Sequence, residues 1–193
     1  MPDGTCGVTV AIPDGAGPWP GIVMYPDAGG ARAAFRHMAT RLASLGYAVL
    51  VPDVYYRSGD WAPFDMAGVF GDTGERNRLF AMMKAITPQV MAADAGAFFD
   101  YLAARPEVSG QRFGTTGYCM GGRLSFLAAA HSGVDAAVSY YGGGIDSLLG
   151  AAPSISCPIQ FHFAEQDHYI QAPAVAAVQA AFAGRPNASV HVY

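Results

Sequence analysis

Gly117, Tyr118, Cys119, Met120, Gly121 and Gly122 set a thiol between a short apolar segment, Phe113 to Thr116, and a longer one, Arg123 to Ala130. The first can close a buried strand and the second can open an apolar helix, so Cys119 falls where a strand turns sharply into a helix. A turn that tight lifts its apex side chain out of the core and crowds the backbone, which requires small residues two positions before and after. Gly117 and Gly121 meet that requirement. The helix behind the turn aims free N–H groups and the positive end of its dipole at the sulfur, favouring thiolate over thiol and an oxyanion beside it. The chemistry implied is nucleophilic attack by Cys119. The plainer alternative is a buried cysteine in a glycine-rich turn, a common setting for a free thiol.

Further candidates follow from where strands end. In an open parallel sheet, ligands bind beyond the carboxyl ends of the strands. There the chain has Asp27 and Ala28 after Gly21 to Tyr25, Cys119 after its own strand, and Asp167, within Glu165-Gln166-Asp167-His168, after Ile159 to Phe163. A nucleophilic thiol is best served by an imidazole that takes its proton and a carboxylate that holds the imidazole's tautomer. Chains of this architecture supply nucleophile, acid and histidine in that order, the histidine on the loop after the final strand. Asp167 fits the acid; its alternative is a turn residue or the N-cap of the helix beginning near Ala172.

The histidine is missing, because the chain stops at Tyr193 on the last strand. Of the five histidines, His37 sits on a helix, His131 at a helix end, and His162 and His191 within strands, ordinary places for surface or satisfied core residues. His168 adjoins Asp167, and a side chain rarely turns back to be oriented by its neighbour while also reaching a distant thiol.

The elements that must position these groups alternate along the chain, which predicts an α/β protein with a mainly parallel sheet. Gly21 to Tyr25 is the first clear buried strand. Phe35, Met38, Ala39 and Leu42 recur at helical spacing, and Gly46 stands where a C-cap glycine belongs. Tyr47 to Val51 is the next strand, ended by Pro52. Val54 to Thr73, rich in aromatic residues, Gly and Asp, is a long loop placed to cover a site. Helices follow over Arg76 to Ala85 and Val90 to Ala104, the second with Met91, Ala95, Phe98 and Leu102 on one face. Strands near Ala136 to Tyr140 and Ile159 to Phe163, a helix near Ala172 to Phe182, and a last strand, Val190 to Tyr193, complete the order.

With 193 residues, 52% hydrophobic and 13% charged, the chain predicts a single domain over 1–193 with a large core. Charged residues, His or Gly interrupt every apolar run before membrane-spanning length, so no membrane segment is expected. The formal charge of −4 comes without a basic block, which excludes the footprint of a nucleic-acid binder and suits a small-molecule substrate. Three widely spaced cysteines, Cys6, Cys119 and Cys157, fit neither a disulfide framework nor a zinc knuckle. With no signal-like segment at Met1 to Thr5, they point to a cytoplasmic protein. No metal or other cofactor is expected, and the oligomeric expectation is a monomer or small homo-oligomer. Asn187-Ala188-Ser189 matches a glycosylation acceptor by chance in such a setting.

Taken together, Gly117 to Gly122, Pro52-Asp53-Val54-Tyr55-Tyr56-Arg57, Tyr140-Tyr141-Gly142-Gly143-Gly144 and Gln166-Asp167-His168 resemble, in order, segments of the dienelactone hydrolase family of the α/β-hydrolase fold. The resemblance covers nearly the whole chain. It implies hydrolysis of carboxylate-bearing lactones through a Cys, His, Asp triad without cofactor. Carried over by position, Cys119 is the nucleophile and Asp167 the orienting acid, with the backbone N–H groups of Met120 and Ala28 forming the oxyanion hole. Arg76, with Arg78 as its rival, falls near the arginine that binds the substrate carboxylate, and Tyr140 matches an active-site tyrosine. Asp27 stands where the family has a longer glutamate contacting the resting thiol, which implies a different substrate shape or resting control.

The family's opening strand is partly absent, and its histidine and closing helix would lie beyond Tyr193, so a domain truncated at both ends is expected. Two other classes stay open: a non-catalytic α/β-hydrolase-like binding module, and a redox sensor built on Cys119. Within the enzyme class, a broader carboxylesterase or thioesterase competes.

Overall fold

A computed structural model describes Met1 and residues 3–193. Along the chain run β1 (Val8–Ala11), β2 (Trp19–Tyr25), α1 (Ala33–Ala43), β3 (Ala48–Pro52), α2 (Thr73–Ala85) and α3 (Pro88–Ala103). Then come β4 (Val108–Tyr118), α4 (Met120–His131), β5 (Ala136–Tyr140), β6 (Ile159–Phe163), α5 (Ala172–Phe182) and β7 (Ala188–Val192). The sheet has seven strands in the order β1-β3-β2-β4-β5-β6-β7. Among the described residues only β1 runs antiparallel, pairing with β3; every other neighbouring pair is parallel.

Alternation along the strands divides the core in two. In β2, Val23 and Tyr25 enter one cluster and Met24 the other; in β3, Ala48 and Leu50 part from Val49 and Val51 in the same way. This is the period of two of a strand covered on both faces. One face receives α1, whose Phe35, Ala39 and Ala43 are buried at successive turns. The other face receives α3, α4 and α5. There Phe126, Phe161 and Phe182 tie α4, β6 and α5 together, the last two rings 4.8 Å apart. Full burial of side chains such as Leu102, Leu124 and Phe126 contributes roughly 1.5–3 kcal/mol each.

Local chemistry explains several boundaries. Asp72 caps α2 by accepting the Glu75 N–H at 2.9 Å, so the helix starts at Thr73 and not at the predicted Arg76. Thr87 caps α3 at the Val90 N–H, and Pro88 fills a first-turn position where no amide donor is needed. The segment from Val54 to Thr73 is more packed than a covering loop. Residues Tyr56–Ser58 form a 3-10 turn, and Tyr55, Tyr56, Phe64 and Val69 are buried. β1 precedes the strand at Gly21, where the apolar pattern marks no clear strand and the resemblance implies only part of an opening one; it is a four-residue edge strand with no fully buried residue, so it carries almost no apolar pattern. A 3-10 stretch at Asp146–Ser154, also outside the predicted order, packs against α5.

Candidate active site

β4 is the central strand, between β2 and β5, and it delivers Cys119 to the carboxyl edge of the sheet. Cys119 has φ 56° and ψ −120°, a left-handed conformation that costs a non-glycine residue about 1–3 kcal/mol. The surroundings hold it there. Its N–H donates to the Tyr140 carbonyl at 3.0 Å, and its own carbonyl accepts from Gly122 N–H at 2.9 Å. A Cβ on Gly117 would penetrate the Gly121 carbonyl, and one on Gly121 would penetrate the carbonyls of Tyr25 and Pro26. One on Gly122 would stand 2.6 Å from the Tyr140 oxygen. Since each obstacle is backbone, nothing there can move aside. Helix α4 begins immediately at Met120, earlier than the predicted Arg123, because Cys119 itself occupies the N-cap position.

The N–H groups of Met120 and Ala28 both reach the Cys119 sulfur. They come from α4 and from the loop after β2, so two elements distant in sequence converge on one atom. That loop is tightly wound: Asp27 accepts the Gly29 N–H on its side chain and the Gly30 N–H on its carbonyl, each at 2.9 Å.

The electrostatic balance corrects the expectation of a favoured thiolate. Burial raises the Cys119 pKa, and the carboxylates of Asp27 and Asp167 raise it further; the two N–H groups oppose this without overcoming it. The resting sulfur is a protonated thiol at neutral pH. A base is therefore required to generate the nucleophile.

Asp27 lies beside the thiol, but its side chain is engaged. Arg32 grips both carboxylate oxygens, Nη1 on Oδ1 and Nη2 on Oδ2, the latter at 2.7 Å. Asp167 accepts the N–H of Tyr169 at 2.7 Å and of Ile170 at 3.1 Å, all on Oδ1. These bonds hold the carboxyl in place at the loop after β6 and leave Oδ2 without a bond among the described residues.

Tyr140 meets Cys119 through its carbonyl only. Its ring is stacked between Tyr118, 4.9 Å away, and His162, 4.8 Å away, in a ladder that continues to His191 along the strand register. Of these two adjacent tyrosines, the one whose phenol feels the Cys119 charge is the next residue, Tyr141, at φ 39°. Burial, Cys119 and Asp27 raise its pKa, and Arg32 pulls it down.

Arg76 stands on α2, and among the described residues its guanidinium hydrogen-bonds only to the Phe70 carbonyl, at 3.5 Å. The Phe70 ring, just before α2, lies 6.3 Å from that of Tyr169, two residues past Asp167, so the segment leading into α2 meets the Asp167 loop. Arg78 is committed elsewhere: it pairs with Glu75, donates to the Ala62 carbonyl and covers the Phe64 ring at 3.8 Å.

Arg32, Tyr55 and Tyr141 are the residues of this neighbourhood that the sequence reading left without a role. Arg32 carries no motif. Tyr55 and Tyr141 fall inside stretches that mark the family, and only the tertiary structure shows which of two adjacent tyrosines comes near Cys119. Among the described residues no group of three or more His, Cys, Asp or Glu could hold a metal ion, and no helix is long and apolar enough to cross a membrane.

A largely parallel sheet covered by helices, with a strained residue lifted on a glycine-walled strand-to-helix turn, defines an α/β-hydrolase. The dienelactone hydrolase family model matches residues 6–193, and the chain belongs to that family. It is 33% identical over 189 residues to the carboxymethylenebutenolidase of Pseudomonas putida, covering 98% of this chain and 78% of that protein. It is 29% identical over 174 residues to carboxymethylenebutenolidase 1 of Cupriavidus pinatubonensis, covering 90% and 72%. A dienelactone hydrolase structure from Anabaena variabilis matches with a TM-score of 0.69 at 21% identity, covering 97% of this chain and 79% of that one. A dienelactone hydrolase-like promiscuous phosphotriesterase from metagenomic libraries matches with a TM-score of 0.72 at 25% identity, covering 98% and 82%. The chain is a hydrolase of the kind that acts on lactone or ester bonds.

Proposed function

We propose that the chain is one α/β-hydrolase domain that cleaves a carboxylate-bearing lactone or ester of the dienelactone type by covalent catalysis at Cys119. The observation that carries this reading is the convergence of the Met120 and Ala28 N–H groups on a sulfur raised at positive φ. Donors already aimed at that point meet the oxygen of an attacked carbonyl without reorganising.

In the first half-reaction the thiol proton passes to an imidazole, and the sulfur forms a bond to the carbonyl carbon. The carbonyl electron pair moves onto the oxygen held by Met120 and Ala28. Its return breaks the bond to the leaving oxygen, which takes the proton from the imidazole and is freed as enol or alcohol, tethered to the acyl group for a lactone and departing for an open-chain ester. Water then attacks the thioester, the same imidazole accepting its proton and returning it to the sulfur. Because the thiol rests protonated, this imidazole is needed at the outset.

Asp167 orients that imidazole, which belongs to a histidine following Tyr193. Supporting this, Tyr193 N–H donates to the Phe163 carbonyl at 3.0 Å and its carbonyl accepts from Glu165 N–H at 2.7 Å, so the chain leaves β7 beside the Asp167 loop. Arg76 receives the substrate carboxylate, which its lack of a carboxylate partner among the described residues supports. Asp27 shapes the floor of the substrate site and sets the resting state of the thiol. Tyr141, next to Tyr140, lines the opening.

The test is mass spectrometry of the chain after a p-nitrophenyl ester, with loss of dienelactone absorbance followed in parallel. An acyl adduct on the Cys119 peptide is expected, absent in Cys119→Ala, with turnover in a chain carrying the residues after β7. An active Cys119→Ala variant sinks the mechanism. Turnover of simple esters or thioesters but not of dienelactone moves the substrate to the broader carboxylesterase or thioesterase class.

A further inference from the structure

We infer that Tyr55 is a positioning residue for the oxyanion hole, acting through the main chain of Ala28. The inference rests on the reading that the Ala28 and Met120 N–H groups receive the oxyanion formed at Cys119. Tyr55 lies on the segment after β3, yet its hydroxyl donates to the Ala28 carbonyl at 2.9 Å and touches the Met120 sulfur at 3.5 Å. One buried group thus contacts both residues of the hole, one from each converging element.

The direction of an N–H is set by the peptide planes on either side of its Cα. At Ala28 both planes are held. The plane from Asp27 to Ala28, which carries the critical N–H, is tied at its carbonyl by Gly30 N–H at 2.9 Å. The plane from Ala28 to Gly29 is tied at its N–H by the Asp27 side chain at 2.9 Å and at its carbonyl by Tyr55. All these ties except Tyr55 lie within the loop itself and move with it. Of these ties, among the described residues, Tyr55 is the one that comes from a different part of the fold.

Tyr55 is built to stay still. It is 2% exposed, and its N–H donates to Asp53 at 3.0 Å. The Asp53 carboxylate also takes the indole N–H of Trp61, whose ring meets Tyr55 edge-on at 5.3 Å. Trp61 in turn closes over Gly30, where an added Cβ would stand 2.7 Å from the indole. Burial, with Asp27 and Cys119 nearby, pushes the phenol pKa far up, so the hydroxyl remains a donor across the working pH range.

Tyr55→Phe removes the hydroxyl and keeps the ring packing, and two reactions of Cys119 separate positioning from a structural effect. Acylation by p-nitrophenyl acetate builds an oxyanion; alkylation by iodoacetamide does not. We expect the thiolate's own rate constant, taken from each pH profile, to fall about ten-fold or more for acylation and to stay within about two-fold for alkylation, because only the former uses the hole. Wild-type acylation in Tyr55→Phe overturns the inference, and so does a parallel fall in both reactions. A wild-type chain that is alkylated but never acylated overturns the ester reading itself and this inference with it.

Discussion

Arg32 spans both carboxylate oxygens of Asp27, and that carboxylate acts on the Cys119 thiol. The side chains are 34% and 21% exposed, so solvent weakens the pairing but does not dissolve it. Even so paired, Asp27 still raises the thiol pKa, because it is the carboxylate that acts most strongly on the sulfur.

Replacing that charge tests the balance. Asp27→Asn removes the anion and leaves the Arg32 cation unpaired, and both changes favour thiolate. Alkylation of Cys119 at a fixed pH below its pKa should speed up several-fold, since each unit of pKa is a factor of about ten in thiolate. An unchanged pH profile means that Asp27 does not control the resting sulfur.

The elbow glycines make a steric prediction. Gly121→Ala drives a methyl into two backbone carbonyls that belong to the end of β2 and cannot yield. Destabilisation of about 3 kcal/mol or more is expected, seen as a lower urea midpoint or loss of soluble protein. Gly143→Ala, whose nearest neighbour is Ile170 at 3.9 Å, should stay within about 0.5 kcal/mol.

Behind the site, Arg57 pairs with the buried Asp94 through Nη1–Oδ2 at 2.5 Å and Nη2–Oδ1 at 2.8 Å, joining the segment after β3 to α3. Tyr56 adds its hydroxyl at 3.1 Å. Arg57→Met leaves a carboxylate with only that one partner and should cost about 3 kcal/mol or more. A double variant that also carries Asp94→Leu should recover much of the loss, because no charge is then stranded. Equal melting temperatures for the single and double variants would count against this account.

The aromatic ladder carries a pH signature. Burial first, and His191 second, lower the His162 pKa below its ordinary 6.5. As pH falls through 6.5 the unfolded chain takes up this proton first, so the contribution lowers stability from there until folded His162 also protonates. His162→Phe keeps the stacking and should flatten this part of the slope, measured by urea midpoints at about pH 7.5 and about pH 5.5. An unchanged slope would remove His162 from the acid response.

The elements that were legible in sequence carry local signals. The strand-to-helix turn is written in six consecutive residues, because the steric demand for small side chains is met within the turn itself. α3 shows its buried face through regular spacing, and β3 shows through five buried residues. β1 was illegible because an edge strand of four half-buried residues needs no distinctive pattern. The early start of α2 was readable in principle from Asp72 and Glu75, a capping pair that outweighs the weak periodicity around it.

The sequence by itself determined the strand, thiol and helix at Cys119, the position of Asp167 after β6, and the order in which the chain presents them. Only the tertiary structure decided that the thiol rests protonated, that Arg32 occupies Asp27, that Tyr141 and not the Tyr140 ring is coupled to the sulfur, and that Tyr55 braces Ala28. The reason is physical. Charge and burial at one atom collect contributions from groups far apart in the chain, and those groups meet only because the sheet order sets β2 between β3 and β4.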